Sequence, residues 1–288
     1  MSHSEKSMQG KVCVVTGATS GLGKATATQL AALGATVVIG CRDRAKGEAV
    51  KKEISSQTGN TSLDLFVADL SSQKSIRQGT ADLLSRYSRL DVLVNQAGLY
   101  VNERKVTEDG LEMMFAVNHL AYFSVTHHLL PALKAAGKAR VVNGSGGAEA
   151  AGNIHFDDLQ GEKKWSAFRA LTQSKLGNFL FTYELARRLE GTGVTTNVMH
   201  PGGVKTDLGK GAGGPFGVML RLMRPFMDTP EVGARTLVYL ASAPELEGVT
   251  GGYYVKNKPA KSSARSHDKE LAARLWKVSA ELAGVSTP

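Results

Sequence analysis

The stretch from Lys11 to Lys24, KVCVVTGATSGLGK, restricts what this chain can fold into more than any other segment. Val12, Cys13, Val14 and Val15 make a short apolar run of the kind found in a strand buried on both faces. Gly17, Gly21 and Gly23 follow, and Ala25–Leu33 reads as a helix. A strand that turns directly into a helix leaves unpaired N–H groups at the helix N-terminus. Together with the positive end of the helix dipole, these hold a pyrophosphate. A Cβ at the glycines would block both the turn and the approach of phosphate oxygens. Glycines by themselves are weak evidence; the strand before and the helix after supply the context such a loop requires. The competing reading is an ordinary tight turn in an α/β domain.

The same alternation continues. Apolar runs at Thr36–Cys41, Leu63–Ala68, Asp91–Val94, Arg140–Asn143 and Val194–Met199 read as strands. Helical patterns at Lys46–Ser56, from Ser72, at Leu111–Leu130 and at Trp165–Leu189 separate them. This predicts one doubly wound, Rossmann-type α/β domain with a parallel sheet and right-handed crossovers. No linker-like or repetitive tract divides the chain, so residues 10–288 are expected to form a single domain behind a disordered tail at 1–9.

In a dinucleotide site the end of the second strand meets the adenosine ribose, ~20 residues beyond the glycines. That strand ends Cys41-Arg42-Asp43-Arg44. A guanidinium at Arg42 suits a 2′-phosphate and favours NADP(H) over NAD(H). The alternative is that Arg42 is solvated and Asp43 makes the contact. Asp69, after the third strand, is placed to accept the adenine amino group or to cap the following helix. Small residues in Asn95-Gln96-Ala97-Gly98 let the chain pass beneath the nucleotide.

Composition excludes several classes. With 42% hydrophobic residues the chain can bury a full core. A net charge of +9 is dispersed and aromatics are only 6%, which argues against a nucleic-acid surface; the charge suits solvation and a polyphosphate cofactor. No run approaches the ~20 apolar residues that span a bilayer, and MSHSEKSMQG lacks a signal-peptide core. Cys13 and Cys41 fall in predicted strands and read as reduced core thiols, so a cytoplasmic protein is expected. The histidines show no metal-ligand spacing.

Taken together, TGATSGLG, Asn95-x-Ala97-Gly98, VNHL, SKLGN and HPGGVKT resemble the short-chain dehydrogenase/reductase family over nearly the whole chain. IHFDDLQGEK, ELARRLEGTGVTT, TPEVGART and ELEGVTGGYY resemble its retinol-dehydrogenase-like branch. The resemblance implies a seven-stranded sheet and a homo-dimer or homo-tetramer. It places the cofactor against Gly17, Thr19, Ser20, Gly21, Leu22, Gly23, Arg42, Asp69, Leu70, Asn95, Ala97 and Gly98, and its nicotinamide end against Pro201, Gly202, Val204 and Thr206. It also implies that Lys175 binds the nicotinamide ribose and that Asn118 orders a water near that lysine. The family moves a proton with a tyrosine four residues before the lysine, aided by a serine just past the fifth strand.

At both points this sequence departs. Leu171 stands at the tyrosine position and Gly146 at the serine position, while Gln96 replaces the second asparagine of the usual NNAG. Leucine has no transferable proton and glycine has no side chain, and a positioned general acid is worth ~10²–10⁴ in rate. Ser145, Thr172, Ser174, Tyr100, His155 and His200 are the available substitutes, as is Lys175 itself, directly or through the water near Asn118, although with no phenol beside it nothing in the sequence draws Lys175 toward neutrality. Residues 207–230 pair a glycine-rich half with Phe216, Val218, Met219, Leu220, Leu222, Met223, Phe226 and Met227, which reads as a lid over a bulky apolar substrate. The leading expectation is a repurposed enzyme that accelerates cyclisation, isomerisation or rearrangement by positioning, with NADP(H) structural. The alternatives are an NADP-dependent oxidoreductase with a substitute proton donor and a non-catalytic NADP-sensing module. A laboratory variant disabled at both positions is a further possibility.

Overall fold

A computed structural model describes residues 7–205, 213, 217 and 222–286. Strands β1 (Val12–Val15), β2 (Thr36–Cys41), β3 (Leu63–Val67), β4 (Val92–Asn95), β5 (Ala139–Gly144), β6 (Val194–His200) and β7 (Tyr253–Val255) lie parallel in the order β3-β2-β1-β4-β5-β6-β7. The order reverses between β1 and β4, and the crevice at the carboxyl ends of such a sheet is where this architecture receives ligands. An eighth, two-residue strand, β8 (Lys258–Pro259), returns antiparallel onto β7. It goes beyond the seven strands expected. The cause is a tight reversal at Lys256 and Asn257, whose positive φ values of 50° and 61° match the handedness of a two-residue hairpin.

Side chains alternate between two apolar layers, as strand geometry requires. Cys13, Val15, Val37, Ile39, Val92 and Val94 pack on one face with α1 (Gly21–Ala32), α2 (Arg44–Thr58) and α7 (Pro230–Ser242). Val14, Val38, Leu93 and Val141 pack on the other. Here they meet α3 (Gln73–Arg86), α5 (Ala121–Ala135), α6 (Ala167–Arg188) and the C-terminal α8 (Lys269–Ala283). Cys13 and Cys41 are buried free thiols, and burial pushes both above the usual thiol range, Cys13 far above it. Met8, within the stretch expected to be a tail, is 5% exposed and its N–H donates to Leu33 O.

Local signals explain the boundaries. Asp43 accepts from Lys46 N at 3.1 Å and caps α2, which ends on Gly59 at φ 70°. Ser72 caps α3, so Asp69 does not. The helix expected over Leu111–Leu130 is broken into α4 (Met113–Phe115), a π-turn (Ala116–Leu120) and α5. The wide turn carries Asn118, and such turns recur at functional sites. α5 continues through Pro131 to Ala135, beyond the Leu130 end expected.

Candidate active site

The carboxyl ends of β1–β6 open into one cavity of about 1140 Å³. One end is lined by Gly17, Thr19, Ser20, Gly21, Leu22 and Gly23, with Arg42, Asp69 and Leu70 beyond them. Gly17 has φ 64°, and a Cβ there would lie 2.7 Å from Ala97 Cα. Ser20 precedes α1 without capping it, so the first-turn amides are left for an outside acceptor. This is the geometry of an anion cradle, and it fits the pyrophosphate of a dinucleotide. Arg42 is exposed, with Nη1 4.0 Å from Asp69 Oδ2. Asp43, its rival for a ribose, is spent on the α2 cap.

Across the cavity stand Lys175, Leu171, Gly146, Pro201, Gly202 and Val204, together with Ala97 and Gly98. Leu171 and Lys175 lie one turn apart on α6 and reach the same space. Leu171 is 6% exposed and packs with Met114, Leu99, Tyr100 and Trp165, so this part of the wall is apolar. Two expected site residues are elsewhere. Asn95 is fully buried and its amide donates to Thr126 Oγ1 at 3.0 Å and Asn143 Oδ1 at 2.9 Å, tying β4 to β5 and α5. Asn118 does not line the cavity; its Oδ1 accepts from Leu99 N and its Nδ2 donates to Leu99 O, which clamps the segment after β4. Thr206 lies outside the described residues, as does most of the stretch expected to be a lid. Of the described part, Gly217, Arg224 and Met227 line the cavity, whereas Leu222 and Phe226 are strongly exposed.

Three of the hydroxyls weighed as substitute acids are engaged by backbone. Ser145 Oγ donates to Lys175 O at 3.2 Å, Thr172 Oγ1 to Arg169 O at 3.1 Å and Ser174 Oγ to Leu171 O at 2.8 Å. His155 is not among the cavity residues; Tyr100 and His200 are. Burial raises the Tyr100 phenol above its usual range. Lys175 corrects an expectation: burial alone draws its ammonium down to about 8, without any phenol beside it. Gln96 packs against Gly144. A Cβ at 144 would sit 1.8 Å from Gln96 Oε1, so a side chain there would have to displace the Gln96 amide.

A sequence profile of the short chain dehydrogenase family matches residues 11–213. The chain belongs to the short-chain dehydrogenase family. Human retinol dehydrogenase 14 is 42% identical over 96% of this chain and 88% of its own length. Bovine retinol dehydrogenase 12 is 45% identical over 96% of the chain and 87% of its own. Among solved structures, an uncharacterised protein of Mycobacterium paratuberculosis superposes with TM-score 0.79 at 32% identity, covering 99% of this chain and 97% of that one. An NAD(P)-dependent gluconate 5-dehydrogenase candidate from Beutenbergia cavernae, carrying NADP at low occupancy, gives TM-score 0.71 at 27% identity over 88% and 97%. Within the described residues no helix is long and apolar enough to cross a membrane, and no group of acidic, histidine or cysteine side chains is arranged to hold a metal.

Proposed function

We propose that this short-chain dehydrogenase is an NADP(H)-dependent oxidoreductase that interconverts a carbonyl and an alcohol on a bulky, largely apolar molecule. The observation that carries the reading is the single cavity running from the glycine cradle to Lys175, with Leu171, Leu99, Met113 and Val117 as its apolar lining. The names of the relatives supply the first probe, retinaldehyde. Bound NADPH supplies hydride to a carbonyl carbon, and the protein must then deliver a proton to the oxygen. Lys175 and Val204 would hold the nicotinamide end, Arg42 the 2′-phosphate and Gly17–Gly23 the pyrophosphate. The same reading takes the chain as cytoplasmic and as a homo-dimer or homo-tetramer.

The 2′-phosphate assignment rests on Arg42 being exposed at the cavity while Asp43 is tied to α2. Replacing Arg42 with Ala should weaken NADPH about 10- to 100-fold by calorimetry, as expected for one charge-assisted contact. NADH should change less than about threefold. Equal losses for both nucleotides would remove Arg42 from the 2′-phosphate.

The second reading, non-redox rearrangement with NADP(H) as a fixed wall, is favoured by Leu171 and Gly146, which leave the site without the family's acid and its partner. One assay separates the two. Retinaldehyde and a panel of long-chain aldehydes are offered with NADPH, and both nucleotide absorbance and products are followed. Stoichiometric NADPH oxidation supports the oxidoreductase; product without nucleotide oxidation supports rearrangement. Tight NADPH binding with no product from any substrate would favour a sensing module.

A further inference from the structure

The imidazole of His200 lines the cavity and neither reading has used it. His200 is the last residue of β6, and its ring lies over Gly146 and Gly147. A Cβ built at 146 would be 3.9 Å from His200 Nδ1, and one at 147 would be 3.6 Å from Nε2. The ring therefore borders the space that a serine side chain at 146 would fill. Its Nδ1 is buried and has no hydrogen-bond partner among the described residues. A buried polar nitrogen left unpaired costs free energy, and His200 is among the residues that line the cavity with Lys175.

We propose that His200 takes the serine's part, donating a ring N–H to the oxygen of a carbonyl substrate while the Lys175 ammonium supplies the proton. This rests on the oxidoreductase reading. As the carbonyl carbon takes up hydride, the C=O electron pair moves onto oxygen, one N–H bond of Lys175 breaks and the O–H bond forms. The neutral amine regains its proton from water. Burial, then the nearby Lys175 charge, lower the imidazole below its ordinary range, so at neutral pH it is the uncharged donor. Lys175, drawn to about 8, is a far better acid than an exposed lysine. Among the described residues the other titratable groups on the cavity are Tyr100, Lys205 and Arg224, with Cys41, Arg42 and Asp69 at its far end.

The first test needs no turnover. In imidazole-labelled apo protein the His200 resonance, assigned by its loss in His200→Gln, should titrate below the usual histidine range and move upward in Lys175→Met. A His200 titration indifferent to Lys175→Met overturns the pairing. The second test uses the aldehydes that oxidise NADPH. His200→Phe should lower kcat about 10- to 100-fold with NADPH affinity unchanged within about twofold, and His200→Gln, which retains an N–H donor, should recover part of the loss. Reduction by the wild type should be flat below pH 8 and fall about tenfold per pH unit above it, because the protonated lysine is required. Melting curves confirm that each variant is folded. Unchanged kcat in a folded His200→Phe overturns the proposal and leaves the oxidoreductase reading standing. A wild type that oxidises NADPH with no aldehyde removes both.

Discussion

Installing tyrosine at 171 and serine at 146 together is expected to raise the kcat for aldehyde reduction about 10²-fold, the lower end of what a positioned acid contributes. Both side chains have somewhere to go. The nearest atom to a Cβ at 146 is His200 Nδ1 at 3.9 Å, an ordinary contact, so serine enters without displacing backbone. Leu171 already reaches the cavity one turn before Lys175, and a phenol there would lie beside an ammonium that favours its ionised form. Most of the gain should come from Leu171→Tyr. Gly146→Ser alone should do little, because the two groups act as a unit. Packing opposes the larger ring: Leu171 is 6% exposed among Met114, Leu99 and Tyr100, and overpacking there costs about 1–3 kcal/mol. A melting temperature a few degrees lower should therefore accompany the faster turnover. Stopped-flow reduction and a thermal melt on the two single variants and the double one check both expectations. A folded double variant no faster than wild type would mean that position 171 does not face the reacting oxygen.

Six of the strands and their parallel arrangement were legible because each is an apolar run joined to the next by a helical crossover; a seventh strand was expected only from the family resemblance. The cradle was legible because its requirement is local: a turn, a helix start and no Cβ. What escaped depends on distance in space. Nothing near residue 200 announces that β6 ends with its imidazole against Gly146, since that contact is made across neighbouring strands. The lowering of Lys175 comes from burial, which no spacing records. Asn95 sits in the expected motif, yet strand alternation turns its amide away from the cavity toward Thr126 and Asn143. That Gln96 lies against Gly144 is likewise set by the pairing of β4 with β5. The β8 reversal was missed because Lys256-Asn257 lacks the Asn-Gly or Asp-Gly signature of a tight hairpin.

The glycines of the motif look interchangeable in sequence, and the structure distinguishes them sharply. At Gly23 a Cβ would stand 2.2 Å from Gly17 O and 2.7 Å from Gly17 C. Both are backbone atoms of the very turn that shapes the cradle, so no side chain can swing aside to make room. Gly23→Ala must instead push α1 off the loop, separating the first-turn amides from the turn they complete. We expect NADPH affinity to fall at least about 100-fold, because misplaced amides lose several charge-assisted contacts together. The clash should also cost about 3 kcal/mol, at the upper end for a forced methyl in a packed core, or roughly a 5–10 °C drop in melting temperature for a chain of this size. Gly98→Ala is the contrast: its nearest neighbour would be Asn118 Oδ1 at 3.5 Å, an ordinary contact, so the apo protein should melt within about 2 °C of wild type. Calorimetric titration with NADPH and thermal melts of the two variants decide the matter. Should Gly23→Ala bind and melt like wild type, α1 is not seated on Gly17, and the close helix–loop contact that defines the cradle is not present in solution.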